Sequence, residues 1–297
     1  MSPTATYQER VADRLLRATA TKSYDPDVDI DWSAPLEPGK GYVLPHRCSL
    51  YGTALWEQLS PEQRIELGKH ELASAASTGI WLELLLMRVL AKRAYLGDPV
   101  SKHIQYALTE LGEECRHTIM FARMIDKLGT PVYGPSAAIK TLGTLVPAIA
   151  TGPTIWAGIL IGEEIPDRFQ REQAGDDSIQ PLVRMVNRIH IVEESRHISF
   201  ARTELPRSVA ACNRAELAYH RLLIARFAFT VSRSFISPLV YRSVGLDPRA
   251  ARAVALANPH HRETLKYFGE KLVSVLTDNG LIGSPGLSLW RRSFLLP

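Results

Sequence analysis

From Ser60 to about Tyr95 apolar residues recur every three to four positions, the repeat of a helix that buries one face. The stretch opens on "SPEQ", where Ser60 can act as N-cap, Pro61 takes the first helical position and Gln63 can complete a capping box. A second helix is expected after "GDP", with Asp98 capping and Pro99 at its start, and it should stop at "KLGTP" through Gly129 and Pro131. So short a turn makes the two helices antiparallel neighbours. The pattern then recurs as a helix from about Pro153 to Gln173, the polar turn "AGDDSIQP" and a helix from about Pro181 to Glu204. Beyond this second hairpin, "AELAYHRLLIARFAFTVSRSFIS" and "HHRETLKYFGEKLVSVLTDNG" read as two covering helices. The polar segment "KSYDPDVDIDWSAPLEPGKGYVLPHR" lacks a helical period and reads as a lead-in over the surface. The expectation is an all-α chain of one domain: an extended lead-in over 1–50, a bundle of two antiparallel hairpins over 60–205, and covering helices over 206–297.

Composition narrows the function classes. The longest apolar run, "TLVPAIATGPTIWAGILIG", is interrupted by Pro147, Gly152 and Pro153 and followed by Glu163 and Glu164, so it reads as a buried helix pair rather than a membrane span. The arginines at 221, 226 and 233 argue likewise for the first covering helix. A formal charge of +4 arises from 35 Lys and Arg scattered among 31 Asp and Glu, without the basic patch that phosphate contacts require. No nucleic-acid partner is expected. Cys48, Cys115 and Cys212 match no zinc or redox spacing, and "MSPTATYQERVADRLL" lacks the apolar run of a signal peptide, so a cytoplasmic protein with free thiols is expected.

The chemistry is concentrated in two octapeptides, "ELGEECRH" at 110–117 and "HIVEESRH" at 190–197, which lie 80 residues apart. The same register carries Glu83 of the first helix onto Glu163 of the third, so Glu83, Glu114 and His117 correspond to Glu163, Glu194 and His197. On a helix turning about 100° per residue, positions i and i+3 share a face, so each Glu-x-x-His can reach one point. One Glu from each of two helices and a Glu-x-x-His from each of the other two is the donor set of a dinuclear carboxylate site in a four-helix bundle. Four buried carboxylates need counter-charge, which two ferric ions with a bridging oxide supply. Oxygen-rich donors with a few imidazoles suit iron best, with manganese as a substitute.

Neighbouring residues take lesser roles in this reading. Glu113, Glu164 and Glu193 sit about 100° from their ligand neighbours and are expected to support the site or face the surface. Glu71, on the first helix, could replace Glu83 but breaks the 80-residue register. Arg116 and Arg196 read as ion-pair partners of carboxylates in the opposing hairpin, and Pro166 should disturb the third helix beside Glu163. The symmetry breaks where the first hairpin has Glu110 and the second has His190, one turn before Glu194. His190 is therefore expected as a third imidazole ligand, and Glu110 is left outside the set.

From "YDPDVDIDWSAPL" through "LYGTALWEQLSPEQRIELGKHE" to "RIHIVEESRHISFAR", the chain resembles the dinuclear iron N-oxygenases that convert aryl amines to nitro compounds. The resemblance implies a ferritin-like bundle with additional N- and C-terminal helices. It also implies a metal set on Glu83, Glu114, His117, Glu163, His190, Glu194 and His197. The implied cofactor is a pair of irons cycling between ferrous and ferric states with an oxo or peroxo bridge. The implied partners are an aromatic amine, dioxygen, an external electron donor and a second copy of the chain, with no membrane. A carboxylated amine would want an arginine, for which Arg291 and Arg292 in "LWRRSFLLP" are the candidates. No flavin or nicotinamide fingerprint offers an internal source of electrons.

Two other readings stay open. The same six core ligands serve dimetal hydroxylases and oxidases acting on carbon, from which His190 discriminates. A ferritin-like metal-binding protein without turnover is the other, and the long lead-in and extra C-terminal helices count against it.

Overall fold

The computed structural model describes residues 6–296; the first five residues of the N-terminal stretch, and Pro297, lie outside the described part. Its long elements are α1 Tyr7–Thr21, α2 Pro61–Leu96, α3 Lys102–Lys127, α4 Ala137–Gly143, α5 Pro153–Ala174, α6 Pro181–Ala210, α7 Arg214–Ser234, α8 Pro248–Ala257, α9 Pro259–Asp278 and α10 Leu287–Ser293. Single turns of helix fill several connections, and one parallel bridge, Gly41 to Ile179, is the only extended pairing among the described residues. The chain is all-α. Helices α2 and α3 pack as one hairpin, α5 and α6 as the other, and α3 against α6 and α2 against α5 join them. Helices α7 and α9 cover α5, and α10 lies on α7.

Local chemistry explains the element ends. At α2 the Gln63 N–H donates to Ser60 Oγ (3.3 Å) and the Ser60 N–H to Gln63 Oε1 (3.0 Å), which completes the capping box. Gly129, at φ 64°, sits in the left-handed region just beyond α3 and ends the helix as expected. The start of α3 differs from expectation. Its cap is Ser101, and Asp98 caps only the preceding turn. The decisive partner comes from another helix: Glu9 of α1 accepts from Ser101 Oγ (2.6 Å) and from the Lys102 N–H (2.9 Å), satisfying free donors of α3 from outside.

That contact also corrects the reading of residues 1–50 as extended. Residues 7–21 form α1, whose Val11, Ala12 and Leu15 are buried against α3 and α6. The remaining lead-in is extended and tied down: the Gly41 N–H donates to Ser178 O (2.8 Å) and the Gln180 N–H to Gly41 O (2.9 Å). Helix α6 continues past Glu204 through Pro206, while α4, α8 and α10 were too short for periodicity to reveal.

By length and composition, α2 and residues 214–244 are each apolar enough to cross a membrane, and 56% of that window in α2 is buried within the bundle. Core residues such as Leu160, Ile161, Ile165, Val186 and Ile189 line the inside of the second hairpin. Glu71, also on α2, is buried away from the carboxylate cluster. It accepts from Ser49 N–H (3.0 Å) and Oγ (2.5 Å), and burial raises its pKa to about 7 against these bonds.

This gives a pH-dependent stability. The raised folded value means that the fold holds the Glu71 proton more tightly than the unfolded chain, so its contribution is full below about 4.5 and lost as pH rises through about 7. Glu71→Gln is expected to remove this part of the slope, gaining on the order of 2 kcal/mol relative to wild type between pH 5 and pH 8.5 in urea unfolding of the metal-free protein. Parallel pH profiles for the two proteins would exclude it.

Candidate metal centre

The four bundle helices bring all seven expected ligands into one buried cluster, each no more than 4% exposed. Glu83 comes from α2, Glu114 and His117 from α3, Glu163 from α5, and His190, Glu194 and His197 from α6. His117 Nδ1 lies 2.9 Å from Glu194 and 3.6 Å from Glu114; His197 Nδ1 lies 2.8 Å from Glu194 and 3.1 Å from Glu114. Glu114 and Glu194 thus sit between the two imidazoles. His190 Nε2 lies 3.3 Å from Glu83, 3.8 Å from Glu194 and 3.9 Å from Glu163.

The rest of each imidazole is held by a partner that fixes which nitrogen faces the cluster. His117 Nε2 meets Glu193 (2.8 Å) and His197 Nε2 meets Glu113 (2.7 Å), so Nε2–H donates outward and Nδ1 of each ring faces the cluster. The exchange is reciprocal, since each hairpin supplies the carboxylate that orients the other's histidine. Arg196 ties the two together, donating to Glu113 at 2.6 Å and lying 3.7 Å from Glu193. Glu193 further accepts from the Tyr24 N–H (3.0 Å), so the lead-in reaches the site. His190 uses the opposite face of its ring: Nδ1–H donates to Gln170 Oε1 (2.9 Å), leaving Nε2 for the cluster. Thr118 Oγ1 donates to Glu83 at 2.9 Å.

Some neighbours differ from expectation. Arg116 donates to Gly112 O on its own helix (3.3 Å) and has no carboxylate partner among the described residues. Glu164 turns away to Arg202 (2.6 Å). Helix α5 runs on through Pro166, which lines a small cavity with Gly162, Glu163, Gln170 and His190. Gln170 escaped the sequence reading, although it lies two turns from Glu163 on one face of α5.

The electrostatics are those of a site short of positive charge. Burial raises Glu83 to about 7, and burial with the Glu194, Glu114 and Glu83 carboxylates raises Glu163 well above the usual range. Burial works against charged imidazoles too, yet the surrounding carboxylates of Glu114, Glu193 and Glu194 hold His117 well above its ordinary value. Protons therefore take the place of cations. Both oxygens of Glu114, Oε1 of Glu194 and Nδ1 of His117 are buried without a hydrogen-bond partner. Unpartnered donor atoms converging from α3 and α6 fit metal ions, and the donor set of carboxylates with imidazoles suits iron or manganese. Triads of these ligand atoms approach closely enough to hold an ion, among them Glu83–His117–His190, Glu163–His190–Glu194 and Glu114–His117–Glu194.

A fourth triad, Glu110–Glu114–His197, brings in the residue the sequence reading left outside. Glu110 is fully buried, neither of its oxygens has a partner, and burial raises its pKa to about 8. Its position one turn before Glu114 mirrors that of His190 before Glu194. Glu110→Gln is expected to weaken one of the two bound metals by about 10–100-fold, read by ferrous or zinc titration in equilibrium dialysis. A two-ion isotherm identical to wild type would leave Glu110 a buried neighbour only.

A large cavity of about 750 Å³ opens beside the cluster at Gly162 and Glu163. Its wall is chiefly apolar, with Trp81, Leu85, Ile155, Phe227 and Phe229, and α4 closes one side through Ile139, Leu142 and Gly143. Arg291 and Arg292 do not line it. They are exposed on α10, Arg292 lying 5.0 Å over the ring of Phe229, whereas the arginines in the wall are Arg226, Arg233 and Arg252.

An uncharacterized protein of Mycobacterium tuberculosis strain CDC 1551 is 28% identical over 301 residues, covering 97% of this chain and 87% of its own length. Uncharacterized proteins of Mycobacterium bovis and of Mycobacterium tuberculosis strain H37Rv are each 27% identical over the same shares. The model of the p-aminobenzoate N-oxygenase AurF family matches residues 5–280, and the chain belongs to that family.

Proposed function

We propose that this chain is a dinuclear iron oxygenase that uses dioxygen to oxidise an aromatic amine to the hydroxylamine and on to the nitro product. We place it in the cytoplasm as a homodimer, in natural-product biosynthesis, reduced by an external donor. The observation that carries the reading is His190: Gln170 turns its Nε2 into the carboxylate cluster, giving a third imidazole beyond the two Glu-x-x-His pairs.

Glu83, Glu114, His117, Glu163, His190, Glu194 and His197 would hold the metals, with Glu110 close by. Two iron ions bound there supply the oxidising capacity, by activating dioxygen with electrons from the donor. The chain's own residues do the rest. Glu113 and Glu193 keep both Nε2–H groups occupied, so each imidazole would present its Nδ1 lone pair to a metal once the inward proton leaves. The apolar wall of the large cavity excludes water and seats an aromatic ring, with Glu163 marking where the amine must come. Gly162, without a side chain, leaves that approach open.

The test is to reduce the iron-loaded protein, mix it with dioxygen and p-aminobenzoate or other aryl amines, and identify products by mass. Hydroxylamine or nitro product supports the reading. Iron-bound protein that consumes dioxygen yet leaves every amine intact, while hydroxylating carbon in the same compounds, would overturn it in favour of a carbon oxygenase.

A further inference from the structure

The large cavity opens through a border of exposed apolar side chains. Leu142, Leu145 and Ile149, in the apolar helical stretch Ala137–Ile149, and Leu239 beyond α7 all line the cavity and are still 41–56% exposed. Tyr219 extends the border. Its hydroxyl donates to Ile149 O (3.2 Å), and Leu222, one turn further along α7, is exposed as well. The apolar window within Arg214–Val244 is 39% buried, against 56% for the one in α2. Folding therefore leaves apolar surface in water around the mouth of an apolar cavity, which marks a contact site.

The charge on this face is of one sign. Segments 84–97, 127–162 and 217–246, which all contribute to the cavity wall, contain none of the chain's 31 acidic residues. They span more than a quarter of a sequence in which acids and bases are otherwise interspersed. Arg88, Lys92, Lys140 and Arg226 are exposed there, none with a carboxylate oxygen within 4 Å among the described residues. Arg88 and Lys92 instead hold the helical stretch against α2, donating to Thr144 O (3.1 Å) and Pro147 O (2.7 Å). Among the described residues the one acid in the cavity lining is Glu163, buried at the metal end.

This combination selects the occupant. The same face of a second copy would set cations against cations across a two-fold axis. An acidic protein would answer the cations but bring polar groups onto the leucines. An anionic lipid surface answers both, with headgroups for the Lys and Arg side chains and acyl chains for Leu142, Leu145, Ile149 and Leu222.

We infer that this face docks on an anionic lipid surface, with Ala137–Ile149 lying in the headgroup boundary and the cavity opening toward the acyl chains. The contact is made on the membrane and not across it, since α2 and α7 remain packed in the bundle. The cavity then receives its ligand from the bilayer, which selects compounds that partition into lipid.

The test is sedimentation of the metal-loaded protein with vesicles of phosphatidylcholine, and with vesicles in which about one third of the lipid is phosphatidylglycerol. Binding is expected to be at least about tenfold tighter to the anionic vesicles and to weaken as salt rises. Leu142→Ser combined with Leu145→Ser should abolish it, and Lys140→Gln combined with Arg226→Gln should remove the preference for anionic lipid. Leu108→Ser, at an exposed leucine of α3, should change nothing. Circular dichroism and metal content serve as folding controls. Wild type that stays in the supernatant with both vesicles overturns the inference, and so does undiminished binding by the double leucine variant. Two further results reassign the face and equally overturn it. Binding to poly-glutamate without binding to vesicles gives it to an acidic protein, and a wild-type dimer that the leucine variant splits, again without vesicle binding, gives it to a second copy. All these readouts are independent of the proposed reaction.

Discussion

Replacing Glu194 with alanine is expected to abolish binding of the metal pair while leaving the helices folded. Its carboxylate approaches all three imidazoles, at 2.9 Å from His117, 2.8 Å from His197 and 3.8 Å from His190. Burial would push such a carboxyl up, but the His197 charge and the His117 and His197 imidazoles beside it outweigh burial and hold Glu194 well below its usual range. It is thus the anion that the metal-free site most depends on. Taking it away leaves protonated imidazoles buried with less compensation, at a cost of about 3–5 kcal/mol to the metal-free fold. Metal analysis after anaerobic iron loading, with circular dichroism as the folding control, checks both parts. Two irons per chain retained by Glu194→Ala would remove Glu194 from the centre of the site.

The second large effect is expected at His190. Its alanine variant should keep most of the iron, because Glu83, Glu114, His117, Glu163, Glu194 and His197 remain. Amine oxidation should nonetheless fall at least about 100-fold, the upper range for disturbing a metal's immediate surroundings. The loss is electronic and local: one imidazole donor disappears, and Gln170 is left facing a void. Gln170→Leu is the companion variant, since it keeps the ring but frees its orientation, and it should lose activity by a smaller factor at unchanged iron content. Wild-type turnover in His190→Ala would show that the third imidazole takes no part.

Much of this site was legible in the sequence because its chemistry follows helix periodicity. Glu114 and His117, like Glu194 and His197, need only the i, i+3 rule, and the 80-residue register links the hairpins without any knowledge of packing. Ser60 and Gln63 are equally local, and the structure contains their capping box. What escaped depends on contacts between distant segments. Ser101 begins α3 because Glu9, 92 residues away, caps it. Glu110 shares a face with Glu114, but its lack of any partner is visible only when the neighbouring helices are in place. Gln170 had a spacing signal, two turns from Glu163, that means nothing until His190 lies opposite. The arginines of the cavity wall illustrate the same limit: charges of both signs are interspersed along the chain, and only the fold shows that Arg233 and Arg252 have no carboxylate within 4 Å among the described residues.

The reciprocal pairing of His117 with Glu193 and of His197 with Glu113 has a consequence for assembly. Neither hairpin owns a finished half of the centre, because each lends the other the group that aims its histidine. Docking of the hairpins and readiness for metal are therefore one event. Any slip of α3 against α6 by a single turn would uncouple both histidines together, so the pair works as a proofreading clasp on the register of the whole bundle.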